Sequence, residues 1–369
     1  MAKAHAAGIP ATHGFAVVAI ALAGFVFSLT PIAEWLDNAL LDVEWNLLRK
    51  FAPRPASDDI IVVGVDEASV RALEAPPGLW HAPIGRALER IAAAHPRAIG
   101  LDIALPERSY EGFHPGLDRP LMQGLAAARR ATVLVGTLTI DASTRGARPI
   151  DPPLLAILGD QALGIGLLGR DGDGTTRRFS LAIPTEDGAF PTLVGRLCRA
   201  LSRHCSDGLI DYALGAPFKY VPLRDVLGAR DEQFLAKLFR DRVVMLGDVR
   251  PGDRVAVPVN LAGWEPGGRF SSTVVVQAQS LRTAMAGAPG EAARPLAVLV
   301  LTLAALVALV KEWRLAAVTA IVVAVLLVGV ATLWLRAGTY VTLAGALFTL
   351  AAAPVVRAFL ARRKAQPVC

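Results

Sequence analysis

Four stretches of the chain carry no ionisable side chain: residues 14–33, 295–310, 315–335 and 341–356. A helix of about twenty apolar residues crosses the hydrocarbon core of a bilayer, and the pattern predicts four transmembrane helices. For the first run a cleaved signal peptide is the competing reading. That run is longer than the usual apolar part of a signal peptide, and no A-x-A-like site follows it. The basic residues sit between and beyond the runs: Lys3, the KEWR segment at 311–314, and Arg357, Arg362, Arg363 and Lys364. Cytoplasmic loops are enriched in Lys and Arg, which places residues 1–13, the KEWR loop and the 357–369 tail inside and residues 34–294 outside. No Asp, Glu, Lys, Arg or His lies within the spans, which argues against an ion-coupled pump. Ala316, Ala320 and Ala324 recur at helical spacing, as at a close helix–helix contact.

Between the first and second runs the period changes. Short Val/Ile-rich runs at residues 59–65 (DIIVVGV), 98–105 (AIGLDIAL), 132–136 (TVLVG) and 242–246 (RVVML) suit strands buried on both faces. Amphipathic helical patterns separate them at residues 84–95, 118–130 and 190–202. This alternation predicts a parallel sheet with helical crossovers. Residues 163–168 and 177–183 flank a glycine-rich turn and read as a hairpin, a β-rich insertion in the second half. Residues 36–51 read as a helix leaving the first span, with Leu36, Leu40, Val43, Leu47 and Leu48 along one face. The predicted fold is therefore an α/β extracytoplasmic domain, mainly parallel sheet with helices, plus four transmembrane α-helices.

Composition narrows the function class. The chain has 369 residues, 53% hydrophobic and 19% charged, with a formal net charge of +6, whereas ordinary soluble domains are about 25% charged. The excess is in the long runs, which excludes a disordered chain and a plain cytosolic enzyme. The positive charge reads as membrane topology. The remaining basic residues, among them Arg129, Arg130, Arg177 and Arg178, are scattered, so no nucleic-acid partner is expected. Three cysteines exclude a metal finger. No nucleophile elbow, P-loop or metal-protease motif occurs, His81, His95, His114 and His204 share no ligand spacing, and no enzyme activity, cofactor or metal is expected. GIGLLG (164–169) does not lead into a helix, so it is not a dinucleotide fingerprint. Asp171-Gly-Asp173-Gly lacks the rest of a calcium loop and reads as a turn.

The order of short motifs in the outer region resembles the CHASE domain of type 2, a cyclase- and histidine-kinase-associated sensory extracellular domain. Asp42, Trp45 and Arg49 form a D-x-x-W-x-x-x-R helix. IVVGVDEASV carries Asp66, Glu67 and Ser69, and HPRAIGLDIALPE carries Asp102 and Glu107. A D-G-D-G-x-x-R-R turn runs from Asp171 to Arg178, followed by FPTL. DRVVMLGDV precedes Asp253 and Pro258, and STVVVQAQSLRTAMAG stands where the family has a helix leading to the membrane. WHAPIGR replaces the family's Pro-Trp-Pro-Arg-like turn, and Ser271, Ser272 and Thr273 replace its Pro-Gly. The resemblance implies a bacterial inner-membrane sensory protein with both termini cytoplasmic. Family members commonly carry a cyclase, kinase or phosphatase module after the spans. Here about a dozen residues follow the last span, so output through a separate protein partner is expected.

In open α/β sheets ligands bind outside the carboxyl ends of the strands. Asp66, Glu67, Ser69, Asp102, Asp248 and Asp253 fall at or just beyond such ends and are the candidate ligand-binding residues. If the strands are neighbours, their carboxylates converge and could take a cation or a basic or hydroxylated small molecule. The alternative is that Asp and Ser cap helices and turns there. Cys198 and Cys205 can bridge in an oxidising compartment, but only if the helix ends near residue 203, since seven helical residues span about 10 Å. The expected partners are the lipid bilayer, an unknown small-molecule ligand, and a protein partner or a second copy of the chain. A scaffolding subunit of an envelope complex, or an envelope enzyme using the acids, are the alternative functions.

Overall fold

The computed structural model describes residues 11–365 apart from 58, 142–145, 187, 202–204 and 266–268. Most of the expected cytoplasmic N-terminal segment, the end of the basic tail with Cys369, and Arg203 lie outside the described residues. The chain forms two compact units, Trp45–Ala288 and, combined, Met1–Glu44 with Pro289–Cys369. It begins with α1 (Ala11–Ser28) and α2 (Pro31–Phe51), and the second of these runs through the boundary between the units.

In the Trp45–Ala288 unit, the first four strands are β1 (Ile60–Val65), β2 (Ala98–Ala104), β3 (Val133–Leu138) and β4 (Leu163–Ile165). Then β5 (Arg178–Phe179) pairs antiparallel with β8 (Gly208–Leu209), and β6 (Ala182–Thr185) with β7 (Gly188–Pro191). With β9 (Tyr220–Pro222) and β10 (Val243–Asp248), the first four strands build one parallel sheet in the order β4-β3-β2-β10-β1-β9. A hairpin of β11 (Arg254–Ala256) and β12 (Phe270–Ser272) follows. The last long strand of the domain thus lies in the middle of the sheet. The expected hairpin of residues 163–168 with 177–183 does not form. Leu163–Ile165 is buried on every residue and extends the parallel sheet beside β3, and the true hairpin is β6–β7.

The helices of this unit are α3 (Glu67–Leu73), α4 (His81–Ala93), α5 (Asp118–Ala131), α6 (Pro152–Leu158), α7 (Leu193–Leu201), α8 (Leu223–Gly228), α9 (Glu232–Phe239) and α10 (Thr273–Ala286). Alternate strand residues point to opposite faces. Val63, Val65, Ile99, Leu101, Leu134, Val244 and Leu246 share one apolar core with residues of α4, α5, α6, α8 and α9. Ile84, Leu88 and Ile91 of α4 recur at the helical period on its buried side. Gly85 and Gly124 let α4 and α5 meet backbone to backbone, because a Cβ at either would strike the other helix. The opposite face receives α7 and α10. There Gly100 lies against Leu197, and a Cβ at Gly247 would stand 2.6 Å from the Val274 Cβ.

In α2 the buried stripe is Leu41, Glu44, Trp45 and Leu48, while Val43 and Leu47 are exposed. The expected apolar face is therefore turned: Trp45 and Leu48 take the interior, Trp45 packing edge-on to Tyr212 at 6.4 Å. Arg49 donates to the carbonyls of Tyr212 and Gly215 at 3.2 and 2.7 Å. These two contacts account for the Trp and Arg of the D-x-x-W-x-x-x-R pattern.

The other unit adds α11 (Arg294–Ala305), α12 (Trp313–Arg336) and α13 (Ala344–Ala365), with a short pair of β13 (Gly290–Glu291) and β14 (Thr339–Tyr340). Four spans were expected. By length and composition, one helix among the described residues qualifies, Trp313–Arg336, and a second if the α1–α2 pair, bent by 81°, counts as one span. At 1.5 Å per residue the 24 residues of α12 reach about 36 Å, against a hydrocarbon core of about 30 Å. The apolar helices Leu296–Leu309 and Ala344–Phe359 are shorter. The first passes into a 3-10 turn and then an extended Val310, and Pro354 interrupts the second. Ala316 and Ala320 are buried in this unit's core, with Ala324 packed beside them. The Asp37 carboxylate accepts the Leu343 and Ala344 amides at 2.7 and 2.8 Å and so caps the start of α13.

Candidate functional site

Parallel pairing aligns the ends of β2, β10 and β1: Asp102 stands opposite Gly247, and Asp248 opposite Val65. The carboxyl ends of these three strands therefore lie side by side, with Asp102 and Asp248 on them. The twofold period of the strands then divides them. Asp102 points with Gly247 toward α10. Asp248 points with Leu246 and Val65 to the apolar-core face.

Asp66 is the N-cap of α3, accepting the Ser69 amide at 2.7 Å and the Tyr220 hydroxyl at 3.1 Å. Burial by itself would raise its pKa, but the hydrogen bonds from Ser69 and Tyr220 outweigh burial and hold it below the ordinary value. Ser69 is fully buried, and its hydroxyl accepts the Arg224 amide at 3.2 Å. Asp66 thus joins the start of α3 to β9, and Ser69 joins α3 to the start of α8. Their polar atoms are occupied within the fold, which matches the capping alternative.

Asp102 differs. Its Oδ2 is shielded from solvent and has no hydrogen-bond partner. Burial pushes its pKa up to about 7, and the neighbouring Asp253 carboxylate adds to the rise. Asp253 accepts the Thr273 hydroxyl at 2.7 Å, at the first residue of α10. Its pKa is raised too, first by burial and then by Asp248, against the lowering effect of the Thr273 hydrogen bond. The pair sits where the sheet edge meets the start of α10. It can take up a proton, or accept hydrogen bonds from a hydroxyl or amine.

Asp248 is held by Arg250 in a two-pronged ion pair, Nη2 to Oδ2 at 2.6 Å and Nε to Oδ1 at 3.0 Å. The Arg250 guanidinium lies 5.5 Å from the Trp80 ring centre, and the exposed Glu67 adds to the negative field around it. Among the described residues no three His, Cys, Asp or Glu side chains are grouped to hold a metal ion. The idea of a cation at the edge therefore has no geometric support.

Away from the edge, Cys198 and Cys205 form a disulfide with Cα atoms 6.2 Å apart, and α7 ends at Leu201, which makes the approach possible. Asp171 and Asp173 bind the buried Arg177 at 3.0 and 2.8 Å. The hydrogen bonds from Arg177 hold the Asp173 carboxyl far below its ordinary value, and the D-G-D-G turn is a clamp for an arginine. Residues 164–169 leave β4 without opening a helix. One pairing has no local sequence signal: His81 Nδ1 lies 2.6 Å from Asp118 Oδ1, across 37 residues of chain and almost fully buried.

No curated protein and no solved structure matches the chain. The CHASE2 domain matches residues 15–329, a range that takes in the whole sheet, both faces of helices, the acid edge and the first two thirds of α12. The order of strands, the Trp45–Arg49 helix and the Arg177 clamp are thus parts of one known domain type, and the chain belongs to the CHASE2 family of extracellular sensory domains.

Proposed function

We propose that this is a bacterial inner-membrane sensor. Its Trp45–Ala288 unit stands outside the cytoplasmic membrane, binds a small ligand or partner at the carboxyl edge of the sheet, and passes the bound state through its membrane-spanning helices to a separate cytoplasmic protein. The observation that carries the reading is α10. It starts at Thr273 on the Asp253 carboxylate, is buried at every residue from 274 to 284, and is joined to α11 by residues 287–293 alone. Its 14 residues make a rod of about 21 Å. A change in charge or hydrogen bonding at Asp102 and Asp253 acts on one end of that rod, and differential interaction with two states is what lets a ligand shift an equilibrium. The disulfide supports an oxidising location. The apolar side chains exposed along α1 and α12, such as Phe15, Leu22, Ile321 and Val325, are suited to lipid.

The test is crosslinking followed by affinity purification of the full chain from native membranes, comparing the natural sequence with Asp102→Asn. A captured cytoplasmic protein whose yield changes severalfold in the variant supports the sensor. A fixed complex, indifferent to the substitution, identifies a scaffolding subunit instead and removes the sensor reading. Accessibility of the 45–288 unit to protease added outside spheroplasts checks its side of the membrane.

A further inference from the structure

Helix α2 carries a stripe of apolar side chains that the fold leaves uncovered. Ile32, Leu36, Leu40, Val43, Leu47 and Phe51 recur every three or four residues and so share one side of the helix. Ile32, Val43, Leu47 and Phe51 are exposed, at 63, 51, 41 and 69%, and Leu36 and Leu40 are half-buried. Single exposed apolar residues are ordinary, whereas a stripe along all 21 residues of a helix marks an interaction surface. The helix cannot itself cross a bilayer, because Glu34, Asp37, Asp42, Glu44, Arg49 and Lys50 are spread along it. The neighbouring α1 can. Its 18 residues make about 27 Å of helix. Its exposed row, Phe15, Val18, Leu22, Phe25 and Leu29, is apolar throughout and leads into Ile32. Between the two helices the Thr30 hydroxyl accepts the Ala33 amide at 3.3 Å, and Pro31 opens α2. A residue before proline is turned away from helical conformation, and the axis bends by 81°. A span along the bilayer normal that turns through nearly a right angle lays the next helix along the bilayer surface. The Asp37 carboxylate sits on the first amides of α13, and Leu40 packs with Val341 and Leu343. The side of α2 that meets the start of this apolar helix is its bilayer side, and the stripe runs beside it. Glu34, about two and a half turns before Val43, stands on the opposite side.

We propose that α2 lies in the outer surface of the bilayer as an interfacial helix, with Ile32, Leu36, Val43, Leu47 and Phe51 set among the phospholipid headgroups and the first acyl carbons. The inference rests on the reading of α1 as a membrane span. Helices of this kind bury their apolar side about 5–10 Å into the headgroup and acyl boundary. Trp35, exposed at the margin of the stripe, has the amphipathic ring that is enriched at this depth. Lys50 lies on the stripe near its far end, and its long stem lets the ammonium rise to the phosphates. The stripe carries no other charge, so burial of apolar area, not attraction to anionic lipid, holds the helix in place. The row Leu36, Leu40, Val43 and Leu47 thus takes lipid as its main partner, while Trp45 and Leu48 of the same helix enter the protein interior.

The test is spin labelling of the full chain in phosphatidylcholine nanodiscs, in a Cys369→Ser background so that only the introduced cysteine reacts beside the Cys198–Cys205 disulfide. Nitroxides at Val43→Cys and Leu47→Cys report the stripe, Glu34→Cys the opposite side and Leu22→Cys the surface of α1. All four natural residues are exposed, so the labels leave the core intact. Power saturation gives the ratio of oxygen to nickel-complex accessibility, which rises with depth in lipid. Expected is a ratio at Val43 and Leu47 at least about threefold that at Glu34 and approaching that at Leu22. A ratio at Val43 and Leu47 equal to that at Glu34, with Leu22 in lipid, overturns the interfacial helix and leaves the membrane reading standing. Low access of both reagents to the stripe overturns it in favour of a protein cover, a second copy of the chain where spin–spin broadening vanishes on dilution with unlabelled chain. A nickel-accessible Leu22 overturns the reading of α1 as a span, and the interfacial helix with it.

Discussion

On one face of the sheet, Leu88, Leu125 and Leu154 meet Ile99, Leu101 and Leu246 in an apolar core. On the other, α10 is just as buried but carries Gln277, Gln279, Arg282 and Thr283 inward. Gln277 donates to the Gly166 carbonyl, Gln279 to the Asp211 and Leu214 carbonyls, and Arg282 to Leu214 and Ala216 while its guanidinium stacks 3.9 Å from the Phe218 ring centre. The Thr283 hydroxyl accepts the Asp211 amide at 3.1 Å. Apolar contact is nearly indifferent to small shifts, whereas hydrogen bonds to fixed carbonyls have narrow geometry. One face therefore supplies stability and the other supplies register. A helix held by register has discrete positions, which suits an element that transmits a state.

The largest expected effect is on the apolar face. Leu125→Ala should cost about 3–5 kcal/mol, because α4 and α5 cannot close the void at a fully buried leucine. Urea unfolding of the full chain in detergent reads this directly, while capture of the cytoplasmic partner at a permissive temperature should stay unchanged. A change in capture would break the division of labour between the faces. Gln279→Leu comes next, at about 2–3 kcal/mol, from the two buried hydrogen bonds lost to the Asp211 and Leu214 carbonyls. Here partner capture should also shift, and a purely thermodynamic effect would argue that α10 is only packing.

The acid pair gives a smaller, pH-dependent effect. Asp102 has its folded pKa raised from 3.8 to about 7 by burial and by Asp253. Between those values the folded state binds more protons than the unfolded state, so stability is greatest at low pH and falls as pH rises through the window. The loss should be about 2 kcal/mol, roughly half the limit of about 1.4 kcal/mol per pH unit, since water reaches part of the residue. Thermal unfolding from pH 4 to 7 measures it, and Asp102→Asn should flatten the slope. A slope of the opposite sign would remove Asp102 as the titrating group. Smallest is Asp66→Ala, at about 1 kcal/mol for a lost helix cap, with partner capture unaffected. A signalling defect without a stability change would return Asp66 to the ligand site.

Much of this was legible from residue order. The runs at 59–65, 98–105, 132–136 and 242–246 match β1, β2, β3 and β10 within a few residues, because strands buried on both faces need unbroken apolar sequence. Helices α4 and α5 were legible from their period. Of the edge strands, β4 was legible as a strand but was given the wrong partner, and β9 was not read, since three residues carry too short a pattern. The acids were legible as strand-end residues, but their roles were not. Asp66 and Asp102 have the same chemistry and similar positions, yet one is fully hydrogen-bonded and the other has an orphaned oxygen.

The sequence by itself determined the central strand and main helix segments, the apolar helices at either end, and which acids fall at strand ends, because these follow from local periodicity and chain direction. Only the tertiary structure decided that β10 enters between β1 and β2, that strand parity sends Asp102 and Asp248 to opposite faces, and that Asp118 reaches His81 across 37 residues. Those outcomes depend on which strands pair and how closely helices approach. They are properties of contacts distant in sequence, which no local pattern encodes.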